Sequence, residues 1–160
     1  MSVLENLEPK DVFHYLEELT KIPRPSYKEE KVSNYLVDFA KKHDFEVYQD
    51  SAFNVIMIRE AAPGYEDVPP VILQGHMDMV CEQVTGLGKD MDNEGVEVAY
   101  DGDYVYAKGT TLGADDGFGV AMGLALMDDP DLKAPRIEFV ITTAEEVGMD
   151  GATAIDLSML

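Results

Sequence analysis

The stretch Val71-Ile72-Leu73-Gln74-Gly75-His76-Met77-Asp78-Met79-Val80 runs from aliphatic residues into a histidine and a carboxylate two positions apart. Its apolar opening, bounded by Pro69-Pro70 and Gly75, is too short for a helix and predicts a buried, central strand over 71–75. His76 and Asp78 then stand at the carboxyl end of that strand, which is where open α/β sheets place ligands and chemistry. Residues two apart on extended backbone point the same way, so imidazole and carboxylate share one site.

Working outward toward the amino terminus, residues 9–20 carry Val12, Phe13, Leu16 and Leu19 at helical spacing, with His14, Glu17 and Glu18 on a solvated or partly packed face. Ser26 followed by Glu29 has the pattern of a capping box for a second helix reaching about His43, whose stripe is Val32, Tyr35, Leu36 and Phe39. Residues 45–49 and 54–59 read as a strand pair turning at Asp50-Ser51-Ala52. In the other direction, 81–95 is a long polar loop, and Asp101-Gly102-Asp103 is a hairpin turn between 96–100 and 104–107. A helix over 117–127 and a buried strand over 136–142 follow. The order of elements predicts an α/β fold, a mixed β-sheet flanked by helices.

Composition narrows the function. Acidic residues number 32 against 12 basic ones, a formal net charge of −20 over 160 residues. Nucleic acid and anionic membrane both require basic footprints, so neither is an expected partner; cations are the natural counterpart. No stretch is long and apolar enough to span a bilayer, and the amino terminus has no basic region leading into a hydrophobic one, so a cytoplasmic setting is expected. The single cysteine, Cys81, permits no internal disulfide and reads as a free buried thiol.

Two further acidic pairs stand where structure concentrates chemistry. Asp115 and Asp116, between Gly113 and Gly117, sit at the start of the third helix, where one of them serves either as an N-cap or as a ligand. Glu145 and Glu146 follow the last strand, either as ligands or as first-turn charges of a helix with Thr143 and Glu146 as its capping box. Each pair alone has a purely structural reading. Together with His76 and Asp78 they make three strand ends or helix starts that each deliver oxygen or imidazole donors, a set suited to zinc, cobalt or manganese and to two-metal hydrolysis.

Here the sequence resembles the co-catalytic zinc peptidase family that includes aminoacylases, carboxypeptidase G, bacterial tripeptidase and the dipeptidases. The resemblance rests on Gly75-His76-Met77-Asp78, Gly113-Ala114-Asp115-Asp116-Gly117 and Thr143-Ala144-Glu145-Glu146-Val147-Gly148, in that order and spacing. The nearer branch is that of aminoacyl-histidine dipeptidases, to which Ile22-Pro23-Arg24-Pro25-Ser26 is also similar; the tripeptidase branch usually has lysine where this chain has Gly117.

The resemblance implies two divalent metal ions, zinc foremost with cobalt or manganese as substitutes. It implies that His76 binds one ion, Asp78 orients that imidazole, Asp115 bridges the ions, Glu146 ligates the other ion, and Glu145 is the general base. It further implies hydrolysis of short peptides such as Xaa-His, and a homodimer for the full-length protein. Residues 1–160 would be the amino-terminal part of the catalytic domain, without the lid or dimerisation domain and without two further ligands, so weak or absent activity is expected of this length alone. An aminotripeptidase or deacylase is the alternative within the family. Outside it, the alternative is a non-catalytic cation-binding or structural domain whose acidic clusters hold calcium or cap helices.

Overall fold

The computed structural model describes residues 2–160. Two amphipathic helices open the chain, α1 (Lys10–Thr20) and α2 (Glu30–Lys42), followed by the strands β1 (Glu46–Gln49) and β2 (Val55–Arg59). Lys41 and Lys42 in the last turn of α2 complement the helix dipole, and Asp44 in the left-handed region turns the chain into β1. After β3 (Val71–His76) comes a hairpin of β4 (Val98–Tyr100) and β5 (Val105–Ala107), then α3 (Ala114–Asp128), β6 (Ile137–Thr142) and a short α4 (Asp150–Ala154).

The main sheet has the order β1-β2-β6-β3. β1, β2 and β6 are antiparallel neighbours, whereas β3 runs parallel to β6, so the sheet is mixed. That parallel pair positions the site: in its register Gly75 lies opposite Ile141 and His76 opposite Thr142. The chain therefore leaves both strands at the same end, with His76-Met77-Asp78 beside Thr143-Ala144-Glu145-Glu146.

Side-chain alternation along β2 divides the interior. Val55 and Met57 join Leu16, Leu36, Leu124, Phe139 and Ile141 in the core under α1, α2 and α3. Ile56 and Ile58 point to the opposite face with Val140 and meet Ile155 and Met159. Burying a large aliphatic or aromatic side chain contributes about 1.5–3 kcal/mol, so the helix-covered face carries most of the stability. α3 lies close over it because Gly123 has no side chain to separate the helix from the Phe139 ring.

β3 departs from expectation. It pairs only with β6 and forms the sheet's edge, with Val71 44% and Ile72 57% exposed, so it is neither central nor buried along its length. Only Gly75 and His76 at its carboxyl end are buried. β6 takes the central place and is buried at every position. Glu17 also differs from a solvated helix face: it is 6% exposed and accepts hydrogen bonds from Ser2 Oγ and from the Val3 and Leu4 amides. No described helix is long and apolar enough to cross a membrane.

Candidate metal centre

His76 is the hub. It ends β3 nearly buried, and its two ring nitrogens face different carboxylates. Nδ1 lies 3.3 Å from Asp78 Oδ1, a contact short of a well-aligned hydrogen bond. Nε2 lies 3.2 Å from Asp115 Oδ1 and 3.7 Å from Glu145 Oε2. Donor atoms of His76, Glu145 and Glu146 all fall within 4.8 Å of one another, close enough for one cation. Asp115, whose side chain is 89% exposed, meets this group only through His76.

Asp78 is fully buried beneath these groups. Its Oδ1 accepts the Glu145 amide at 3.0 Å, and its Oδ2 accepts Ser26 Oγ at 2.7 Å and the Glu146 amide at 3.3 Å. Burial would raise its carboxyl pKa, but the facing His76 imidazole and donation from Ser26 and the two amides hold it at about 2. Burial likewise disfavours the charged imidazole, yet Asp78, Asp115 and Glu145 outweigh that and lift His76 to about 9.

The two aspartates of α3 divide their roles. Neither is an N-cap: Gly113 caps the helix in the left-handed region, and both aspartates have non-helical backbone. Asp116 turns inward, and its Oδ2 accepts the His76 amide at 3.3 Å. It fits because Gly75 and Gly119 leave room; a Cβ on Gly75 would stand 2.6 Å from that oxygen. Burial pushes its carboxyl pKa up. Asp115 is left free to face the imidazole.

Glu145 and Glu146 lie in a turn, and α4 begins only at Asp150, so Thr143 and Glu146 form no capping box. Thr143 Oγ1 instead donates to the Ala52 carbonyl. The Ser26/Glu29 pattern makes no capping box either: α2 has no side-chain cap, Ser26 donates to Asp78, and Glu29 Oε1 accepts the Ala144 amide at 2.9 Å. A cap and a tertiary partner require the same side-chain groups, and here the tertiary partners hold them. Cys81 is half-buried and free. His14 packs on Tyr15, and His43 Nδ1 meets Asp128 Oδ1 at 3.1 Å, so both other histidines are engaged on the helices.

The paired shifts of His76 and Asp78 predict how stability depends on pH when chelator keeps the protein metal-free. A histidine raised from 6.5 to about 9 stabilises the fold fully below about pH 6.5, and the contribution is lost as pH rises through 9. An aspartate lowered from 3.8 to about 2 stabilises above 3.8, and that is lost as pH falls through 2. Urea midpoints should therefore fall between pH 6.5 and 9.5, and His76→Gln should flatten that slope. Identical slopes in the two proteins would refute the assignment.

No family model matches the chain. It is 38% identical over 152 residues to cytosol non-specific dipeptidase of Escherichia coli (strain K12), covering 95% of this chain and 31% of that protein. Its structure superposes with a TM-score of 0.94 on aminoacylhistidine dipeptidase from Vibrio alginolyticus, at 36% identity over 98% of this chain and 32% of that one. A tripeptidase from Staphylococcus aureus is similar at a TM-score of 0.78, with 25% identity over 94% of this chain and 40% of that one. The chain thus spans about a third of the length of the two dipeptidases.

Proposed function

We propose that this chain, similar along nearly all of its length to two dipeptidases, supplies one wall of a two-metal site for hydrolysing dipeptides, Xaa-His among them. One observation carries the reading: parallel pairing of β3 with β6 brings His76, Glu145 and Glu146 donors within 4.8 Å of one another, in a chain of formal net charge −20. An imidazole with flanking carboxylates fits a borderline divalent cation such as zinc, cobalt or manganese better than calcium, which prefers oxygen throughout.

His76 would offer Nε2 to one ion, with Asp78 behind Nδ1 setting the ring's orientation and tautomer. Glu146 would hold the second ion, and Asp115 would be available to both. Divalent cations at these positions would polarise the scissile carbonyl and acidify a water molecule toward neutrality. Glu145 takes a proton from the attacking water and returns it to the departing amine nitrogen. A depression lined by Val80, Leu112, Asp115 and Glu146 opens beside the carboxylates and receives part of the peptide. A cytosolic setting accords with the single free cysteine.

Elemental analysis after incubation with each metal, paired with hydrolysis of dipeptides and tripeptides by the protein carrying the whole catalytic domain, tests this reading. The expected result is zinc, cobalt or manganese retained through His76, lost in His76→Ala, and dipeptides cleaved faster than tripeptides. Retention of calcium alone, or of no metal, would overturn it in favour of a non-catalytic module.

A further inference from the structure

The loop between α1 and α2 contributes nothing to the donor set, yet the groups that carry the set converge on it. Arg24 is among the largest fully buried side chains, at 1% exposure. Its Nη1 donates to the carbonyls of Met77 at 2.9 Å and Asp78 at 3.2 Å, and its Nη2 donates to the carbonyl of Gly113. One planar guanidinium thus ties the loop after β3, which bears Asp78, to Gly113, the cap of α3 two residues before Asp115. Gly113 and Gly117 make room, since a Cβ on either would stand 2.5 Å from Nη2. The backbone joins in, as the Met79 amide donates to the Arg24 carbonyl at 3.1 Å.

Two residues on, Ser26 acts on the carboxylate itself. An aspartate headgroup rotates about its last bond unless both oxygens are held. Oδ1 of Asp78 takes the Glu145 amide and faces His76, while Oδ2 has only Ser26 Oγ and the longer bond from the Glu146 amide. Without the hydroxyl, Oδ2 keeps that longer bond alone, and the plane set for His76 and both glutamate amides loosens together.

We propose that Arg24 and Ser26 are positioning residues of the metal site: Arg24 fixes the loop that carries Asp78 against the start of α3, which carries Asp115, and Ser26 fixes the rotation of the Asp78 carboxylate. Its effect on metal rests on the two-metal reading above; its effect on the glutamate pair does not. Lysine cannot replace Arg24, because a single ammonium lacks the rigid fork that reaches carbonyls on two loops.

Hydrogen exchange on the metal-free chain and cobalt titration followed by visible absorption test the proposal. Ser26→Ala should speed exchange of the Glu145 and Glu146 amides about tenfold or more, while the Phe139 and Ile141 amides keep their rates. It should weaken cobalt binding about 10- to 100-fold and alter the cobalt spectrum. Ser26→Thr, which keeps the hydroxyl, should restore both. Arg24→Lys should weaken cobalt binding as well; should that variant fail to fold, Ser26→Ala decides alone. Unchanged exchange and an unchanged cobalt spectrum in Ser26→Ala would overturn the proposal. If the parent chain binds no cobalt but Ser26→Ala still frees the two amides, the metal reading fails and the positioning of the glutamate pair stands.

Discussion

If Glu145 is the general base proposed above, Glu145→Gln is expected to lower peptide turnover by about 10²- to 10⁴-fold, the range a positioned general base contributes, with the metal still bound. Glutamine keeps the size of the side chain and a carbonyl oxygen, but it does not accept a proton near neutral pH. The main-chain bond from the Glu145 amide to Asp78 is unaffected, so the turn should persist. The contrast matters because Glu145 Oε2 lies 3.7 Å from His76 Nε2, near enough to serve as a ligand. Measuring kcat and metal content together, on a protein carrying this chain at the length of its dipeptidase relatives, separates the roles. Loss of metal along with activity makes Glu145 a ligand; turnover within about threefold of the parent removes it from the chemistry altogether.

Asp78→Ala costs about 3 kcal/mol of stability, the lower part of the range for removing one partner of a buried charged pair. The carboxylate is fully buried and receives three hydrogen bonds, from Ser26, Glu145 and Glu146, besides facing His76. Truncation leaves those three donors without the carboxylate that holds them. Urea unfolding in chelator at pH 6, where the pair contributes fully, gives the number. A loss under about 1 kcal/mol would mean that water replaces the carboxylate and that Asp78 organises little. Asp78→Asn, which keeps the shape and loses the charge, should fall between the two.

Much of this architecture was legible from periodicity and turn chemistry. α1 and α2 follow from their apolar stripes, and Asp101-Gly102-Asp103 marks the β4–β5 hairpin without further help. Other features were not, for physical reasons. An aliphatic run such as Val71-Ile72-Leu73 announces a strand but not which neighbours it has, and only the topology makes β3 an edge. Ser26 and Glu29 satisfy a local capping pattern and are then recruited by partners 52 and 115 residues away. Arg24 left no local trace, because its partners are backbone carbonyls 53 to 89 residues distant and any residue supplies a carbonyl. The roles of Asp115 and Asp116 separate only in three dimensions, although Gly75 and Gly119 mark in sequence the space that Asp116 fills. The candidate site residues stand out in the sequence because each ends or closely follows a strand or opens a helix, where spacing in sequence maps onto position.

The parallel pairing of β3 with β6 also bears on how the molecule comes together. Parallel neighbours cannot be joined by a tight turn, so residues 77–136, hairpin and α3 included, must be spanned before His76 meets the glutamates. Closing so long a segment is a slow, entropically costly event in folding, and it places the donor set among the last features to form. A cation that recognises only the closed arrangement then acts as a latch on the whole chain. At a hundred times its dissociation constant it would add about 2.7 kcal/mol to the fold and bias the final closure toward the native register.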